Sequence, residues 1–257
     1  MKLLKFTILS TAFIFALSCS NSDDESSSEN GINKSPNLKP TGTSANHFLA
    51  STKYNSLVIE ISYAENLRPN SQSIANVKQF LETLLNKPNG ITILENEIPT
   101  QVNSPFSTPE IAEIENTYRT QYNNPNVLKL HLLFINGNSE NDTNTNKTLG
   151  VAYRNTSCVL FENSIQQLSN AINEPNRIDL ETTVINHEIG HLLGLVNLGS
   201  TMQTNHLDTA HDKHCNNSSC LMYWEIETSG VMQMMVGGNI PQLDANCLAD
   251  LRANGGK

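Results

Sequence analysis

Basic residues are scarce in this 257-residue chain, where 16 Lys and Arg stand against 25 Asp and Glu for a formal net charge of −9. A nucleic-acid partner needs a basic face for phosphates, so this balance argues against one and suits an extracellular surface instead. No internal repeat is visible, which excludes a solenoid or propeller. A long apolar run is missing too. The apolar stretch at residues 6–17 is short, follows Lys2 and Lys5 and gives way to Ser18 and Cys19, the pattern of a secretory signal and not of a membrane span. No cysteine-switch motif separates Ser20 from the first predicted strand, and the polar segment there is too short for an evident inhibitory pro-domain.

Ala16-Leu17-Ser18-Cys19 resembles a bacterial lipobox, which implies a signal peptide at residues 1–18 and lipidation of Cys19. Residues 19–43 are rich in Ser, Asn, Asp and Glu, with Pro36 and Pro40, and read as a disordered tether. The acidic cluster Asp23-Asp24-Glu25 resembles the export tags of surface lipoproteins. The expectation is an exported, monomeric domain over 44–257, held to the outer membrane on its periplasmic face or at the cell surface by an N-terminal lipid anchor. About 210 residues remain for that domain, ample for one core.

Within it, alternation and helical periodicity predict strands over 57–63, 91–94, 127–135, 149–154 and 158–161. Helices are predicted over 71–86, 108–121, 164–172, 179–193 and 242–253. Ile74, Val77, Leu81, Leu84 and Leu85 form the apolar side of the first, and Thr108 and Pro109 read as N-cap and first residue of the second. The segment 127–135 is the most apolar and should be central; the Asn-rich 136–147 should be a loop. This order predicts an α/β (α+β) fold: a mixed, mostly parallel sheet backed by helices, with one of the two late strands at its edge. Val231, Met232, Met234, Met235 and Val236 read as core or pocket wall, closed off by Gly237-Gly238.

The chemistry concentrates at His187-Glu188-Ile189-Gly190-His191-Leu192-Leu193-Gly194. Residues i and i+4 lie on one helix face about 6 Å apart along the axis, so both imidazoles can address one ion. Zinc accepts two such nitrogens, and Glu188, turned about 100° round the helix, is positioned as a general base rather than a ligand. Apolar flanks at helical spacing, Leu180, Val184, Ile185, Leu192 and Leu193, favour a packed helix over a chance match on a polar one. Gly194 suits the turn that ends it.

The octet resembles the opening of the metzincin motif HExxHxxGxxH, but Asn197 stands at the closing position, and a neutral amide is a poor zinc ligand. Further on, His214-Cys215-Asn216-Asn217-Ser218-Ser219-Cys220-Leu221-Met222 resembles the HCx4CxM segment of the archaemetzincins, separated here from Gly194 by an insertion. The resemblance implies a zinc metallopeptidase fold with an active-site helix, an upper subdomain (44–194) and a small lower one (195–257). It implies His214 as third zinc ligand and Met222 as the Met-turn residue beneath the metal, for which an ordinary core methionine is the alternative reading. Behind His214 as third ligand come His206, then His211, then Asn197. His206 and His211, set among carboxylates, otherwise read as solvated loop histidines, or as outer contacts or a separate metal site.

In the archaemetzincins the two cysteines of that segment bind a second, structural zinc with a later CxxC pair. That pair is missing here, where only Cys247 follows. With Cys19 lipidated, the remaining four cysteines allow three disulfide pairings in an exported protein. The expected ones are Cys215 with Cys220 and Cys158 with Cys247; a vestigial metal site is the alternative. The functional expectation is a zinc-dependent endopeptidase with one catalytic ion, Glu188 as base and a peptide or protein substrate. The alternative is a zinc-containing surface binding lipoprotein on the same scaffold without catalysis.

Overall fold

The computed structural model describes residues 31–172, 174–235 and 240–257. The signal segment, Cys19 and the first part of the tether lie outside the described residues, as do Val236 and Gly237-Gly238. The described part of the polar run does not hang free. A 3-10 turn at Ser35–Asn37 packs on the domain, and the buried Asn37 amide donates to Thr156 Oγ1 at 3.0 Å and to the Asn123 side chain at 3.1 Å. Polar composition made this stretch look like tether; side-chain amides partnered by the sheet let it fold without apolar burial.

In chain order the elements are α1 (Ala45–Leu49), β1 (Ser56–Ala64), α2 (Ser71–Leu84), β2 (Ile91–Ile98), α3 (Thr108–Tyr118), β3 (Val127–Ile135), β4 (Gly150–Arg154), β5 (Ser157–Phe161), α4 (Glu162–Gln167), α5 (Arg177–Leu192), α6 (Val231–Met234) and α7 (Ala245–Ala253). The strands form one sheet in the order β2-β1-β3-β5-β4, parallel except for the antiparallel β4–β5 pair. The predicted mixed, mostly parallel sheet backed by helices is therefore the observed architecture, and β3 is its centre.

Period-two alternation explains how β3, buried on both faces, serves two cores. Leu128, Leu130, Leu132 and Phe134 enter the main core with α1, α2 and α5, whereas Leu133 and Ile135 pack under α3 with Phe106, Ile111 and Ile114. On that second face Lys129 and His131 are also buried, beside an ion pair in which Arg119 donates to Glu115 at 2.7 Å. Arg154 from β4 reaches the other Glu115 oxygen at 2.9 Å, which ties the edge strand to α3.

Four helix starts differ from expectation; α4 begins at Glu162 and not 164, and α7 at Ala245 and not 242. α3 is capped by Ser107, not Thr108: Glu110 N donates to Ser107 Oγ, and Ser107 N donates to the Glu110 carboxylate at 2.8 Å. This reciprocal capping box outcompetes a threonine cap, and Pro109 is tolerated because first-turn N–H groups have no helical partner. α5 begins two residues early because the Asn176 side chain accepts from Asp179 N at 3.0 Å. Among the described residues no helix is long and apolar enough to cross a membrane.

Candidate metal centre

α5 runs through the core, buried on every side from Leu180 to Leu192, so its histidines are fixed by packing. Their Nε2 atoms come within 3.2 Å of each other. The helix ends at Gly194, whose φ of +84° is open to glycine and strained for other residues. Beyond it, Leu195 N donates to Gly190 O and Ser200 N to Gly194 O, both at 3.1 Å, which folds the chain back beneath the helix. The inserted segment then loops out and returns His214 to the same point.

Each of the three rings is held through Nδ1 by a backbone carbonyl: His187 by Leu221 O at 2.7 Å, His191 by Leu195 O at 3.3 Å, His214 by Asp212 O at 3.0 Å. Donation from Nδ1 leaves every Nε2 as an outward lone pair, the tautomer a metal ligand requires. His214 Nε2 is buried without a hydrogen-bond partner, as are both Glu188 oxygens. Glu227, from a 3-10 turn at Trp224–Glu227, completes the group, and its nearest carboxylate oxygen and the three Nε2 atoms all lie within 4.8 Å of one another. Buried orphan acceptors facing a second carboxylate form a site short of positive charge, which fits a divalent cation.

The titration behaviour agrees. Burial lowers His187 to about 4 and holds His191 well below the usual imidazole range, so both rings are neutral at pH 7. Burial, reinforced by the Glu227 charge, pushes the Glu188 carboxyl well above the usual carboxylate range. Burial also works to raise Glu227, but His214 and His187 outweigh it and hold that carboxyl below its ordinary value. These groups open onto a cleft of about 330 Å³ whose wall includes Val151 and Ala152 of β4, the predicted edge strand beside the site.

Met222 is fully buried, and its sulfur meets the helix at Gly190, between the two histidines. A methyl group at Gly190 would run into Met222 Sδ. Gly190→Ala is therefore expected to cost about 1–3 kcal/mol by overpacking, read from urea unfolding, and Met222→Ala in the same chain should recover part of the loss. Equal stability of Gly190→Ala and the parent would refute this contact.

The other candidates go elsewhere. Asn197 is solvent-exposed with φ +59° and takes no part in the group. His211 stacks on Trp224, ring centroids 4.1 Å apart, and contacts Asp208 at 2.8 Å. His206 is not a solvated loop residue: it is buried to 1 % exposure, with Nε2 on Asp250 at 2.8 Å and Nδ1 3.3 Å from Cys215 Sγ.

Both disulfide expectations fail, since Cys158, Cys215, Cys220 and Cys247 are all free thiols. Cys158 sits on β5 in the main core. Cys215 and Cys247 gather with His206 and Asp244, their donor atoms all within 4.8 Å of one another: Cys247 Sγ is 3.9 Å from His206 Nδ1 and Asp244 Oδ2 is 3.4 Å from Cys215 Sγ, while Cys220 Sγ adjoins the group 3.6 Å from Cys247 Sγ. Cys220 Sγ accepts the N–H groups of Met222 and Asp244, each at 3.4 Å. The neighbouring Cys215 and Cys247 sulfurs chiefly, with these N–H groups, bring the Cys220 thiol down to about 4. Four cysteines in a chain read as exported suggested disulfides, whereas the inserted loop brings the His206 imidazole among them, in a group that could hold a metal ion. Glu227, Asp244 and Asp250 had no spacing signal to mark them.

The sheet, its helices and the turn back beneath α5 define an archaemetzincin-like α/β fold. Among solved structures, that of the archaemetzincin from Methanopyrus kandleri matches with a TM-score of 0.50 at 13 % identity, over 78 % of this chain and 95 % of that one. No protein-family model matches the sequence, and no curated protein matches it either.

Proposed function

We propose that the chain is a zinc-dependent endopeptidase with His187, His191 and His214 as metal ligands and Glu188 as general base. The observation that carries this reading is the convergence of three Nε2 lone pairs, each ring pinned through Nδ1, beside an unpartnered buried carboxylate. When bound, zinc would polarise a peptide carbonyl and acidify a water molecule. Glu188 takes the proton from the attacking water and hands it to the leaving amine. Burial raises its proton affinity, which suits both halves of that transfer. The outer edge of β4 borders the cleft through Val151 and Ala152, and an extended peptide can add to it as a strand where it displaces Thr41 Oγ1, which donates to the Ala152 carbonyl at 3.1 Å.

A second ion, structural in role, fits the lower cluster of His206, Cys215, Asp244 and Cys247, with Cys220 adjoining it and His206 supplied by the insertion. The Asp250 contact to His206 Nε2 is the outer carboxylate that commonly orients a ligating imidazole. One observation favours the alternative of a zinc-containing binding protein without catalysis: the Glu227 carboxylate lies 3.5 Å from His214 Nε2, on the side where water must enter.

The test combines metal content with cleavage of a broad peptide library. His214→Ala should lose one zinc equivalent, weaken affinity at the upper centre on the order of 10²-fold and abolish cleavage. Bound zinc with no cleavage of any peptide by the parent chain favours the binding protein, and a parent chain without metal defeats both readings.

A further inference from the structure

We propose that Glu227 is a fourth protein ligand, so that the resting upper centre is closed by the chain itself and opens only when this carboxylate leaves. The inference rests on the zinc reading above and adds to it a state of the same site.

The argument is geometric. A tetrahedral zinc with ligand bonds of about 2.05 Å holds its donor atoms about 3.4 Å apart. His187 and His191 Nε2 are 3.2 Å apart, and Glu227 Oε2 lies 3.5 Å from His214 Nε2, 3.9 Å from His187 Nε2 and 4.0 Å from His191 Nε2. The oxygen is thus near all three nitrogens at once, as the fourth corner of a tetrahedron must be. A carboxylate serving only as a proton acceptor for one ring would approach that ring and stand clear of the others.

The backbone holds Glu227 there. Its carbonyl accepts from Leu149 N at 2.8 Å, Thr148 and Thr228 form an isolated bridge, and Ser229 N donates to Lys147 O at 2.8 Å. These contacts stitch the turn to the segment that leads into β4, the same strand that borders the cleft. Glu227 is also the exposed member of the group, its side chain 33 % accessible against 9 % or less for the three imidazoles, so it can leave without unpacking the core. Structural zinc sites are closed and catalytic ones keep a position open. A displaceable fourth ligand reconciles the two: the ion is held tightly between turnovers, and a substrate that pairs with β4 competes with the turn carrying Glu227.

The experiment uses the intact chain loaded with Co(II), comparing the parent with Glu227→Gln and Glu227→Ala. The readouts are the visible spectrum, the azide concentration that half-perturbs it, and zinc affinity by chelator competition. A fourth ligand predicts a changed spectrum in both variants, azide binding at about 10-fold or more lower concentration, and zinc affinity reduced at least about 10-fold. Glu227→Gln preserves size and hydrogen bonding, so a folded variant with altered ligation is obtainable even where alanine disturbs the turn. Spectra, azide midpoints and affinities matching the parent overturn the proposal while leaving three-histidine zinc binding intact. Failure of the parent to bind Co(II) or zinc removes the zinc reading and this proposal together.

Discussion

Glu188→Gln should leave both the fold and the bound metal unchanged while lowering peptide hydrolysis by about 10²–10⁴-fold, the usual contribution of a positioned proton-transfer group. Fold and metal survive because Glu188 makes no hydrogen bond through either oxygen and is not one of the converging donors. The amide is the same size, so the packing round α5 has no cavity to fill. Hydrolysis fails because an amide cannot take a proton from water and return it to an amine. The measurement is the single-turnover rate on a cleaved peptide beside zinc content and thermal unfolding of the same preparation. Normal turnover by Glu188→Gln would sink the assignment of the base.

Cys247→Ala should reduce the zinc content by one equivalent and lower stability by about 4 kcal/mol when free metal exceeds the dissociation constant a thousandfold, since an ion bound only by the native state stabilises it by mass action. The substitution also leaves His206, Cys215 and Asp244 around an incomplete site. The comparison is best made in a His214→Ala background, where the upper centre no longer contributes metal. There the addition of a strong chelator should destabilise the single variant and have little further effect on the double one. Two chains with equal metal content and equal response to chelator would mean that the lower cluster is merely a set of buried thiols.

How much of this was legible in the sequence follows from range. β3 and α5 were readable because their determinants are local: a largely apolar run buried on both faces, and apolar residues at helical spacing round His187 and His191. The grouping of His214 with His187 and His191 was readable from a resemblance of motifs, and the structure brings these three together, while Met222 packs against Gly190 of α5. Glu227 was not, because it reaches the site through backbone pairing with residues 147–149, far away in sequence and with no side-chain pattern. The lower cluster was misread for a related reason. Cysteine spacing alone cannot tell a disulfide from a metal site; what distinguishes them here is His206, delivered by a loop whose path no periodicity predicts.

One short strip of chain serves both centres. His214 faces upward, Cys215 and Cys220 face downward, Leu221 O anchors the His187 ring, and Cys215 N donates to Met222 O at 2.7 Å to hold the strip in shape. The two ions would therefore behave as thermodynamic neighbours. Whatever order the lower ion imposes on this strip, the upper ion need not impose again, and by linkage the upper ion returns to the lower the same free energy. Loading in either order would end in one cooperative, doubly filled species, with the half-filled forms scarce.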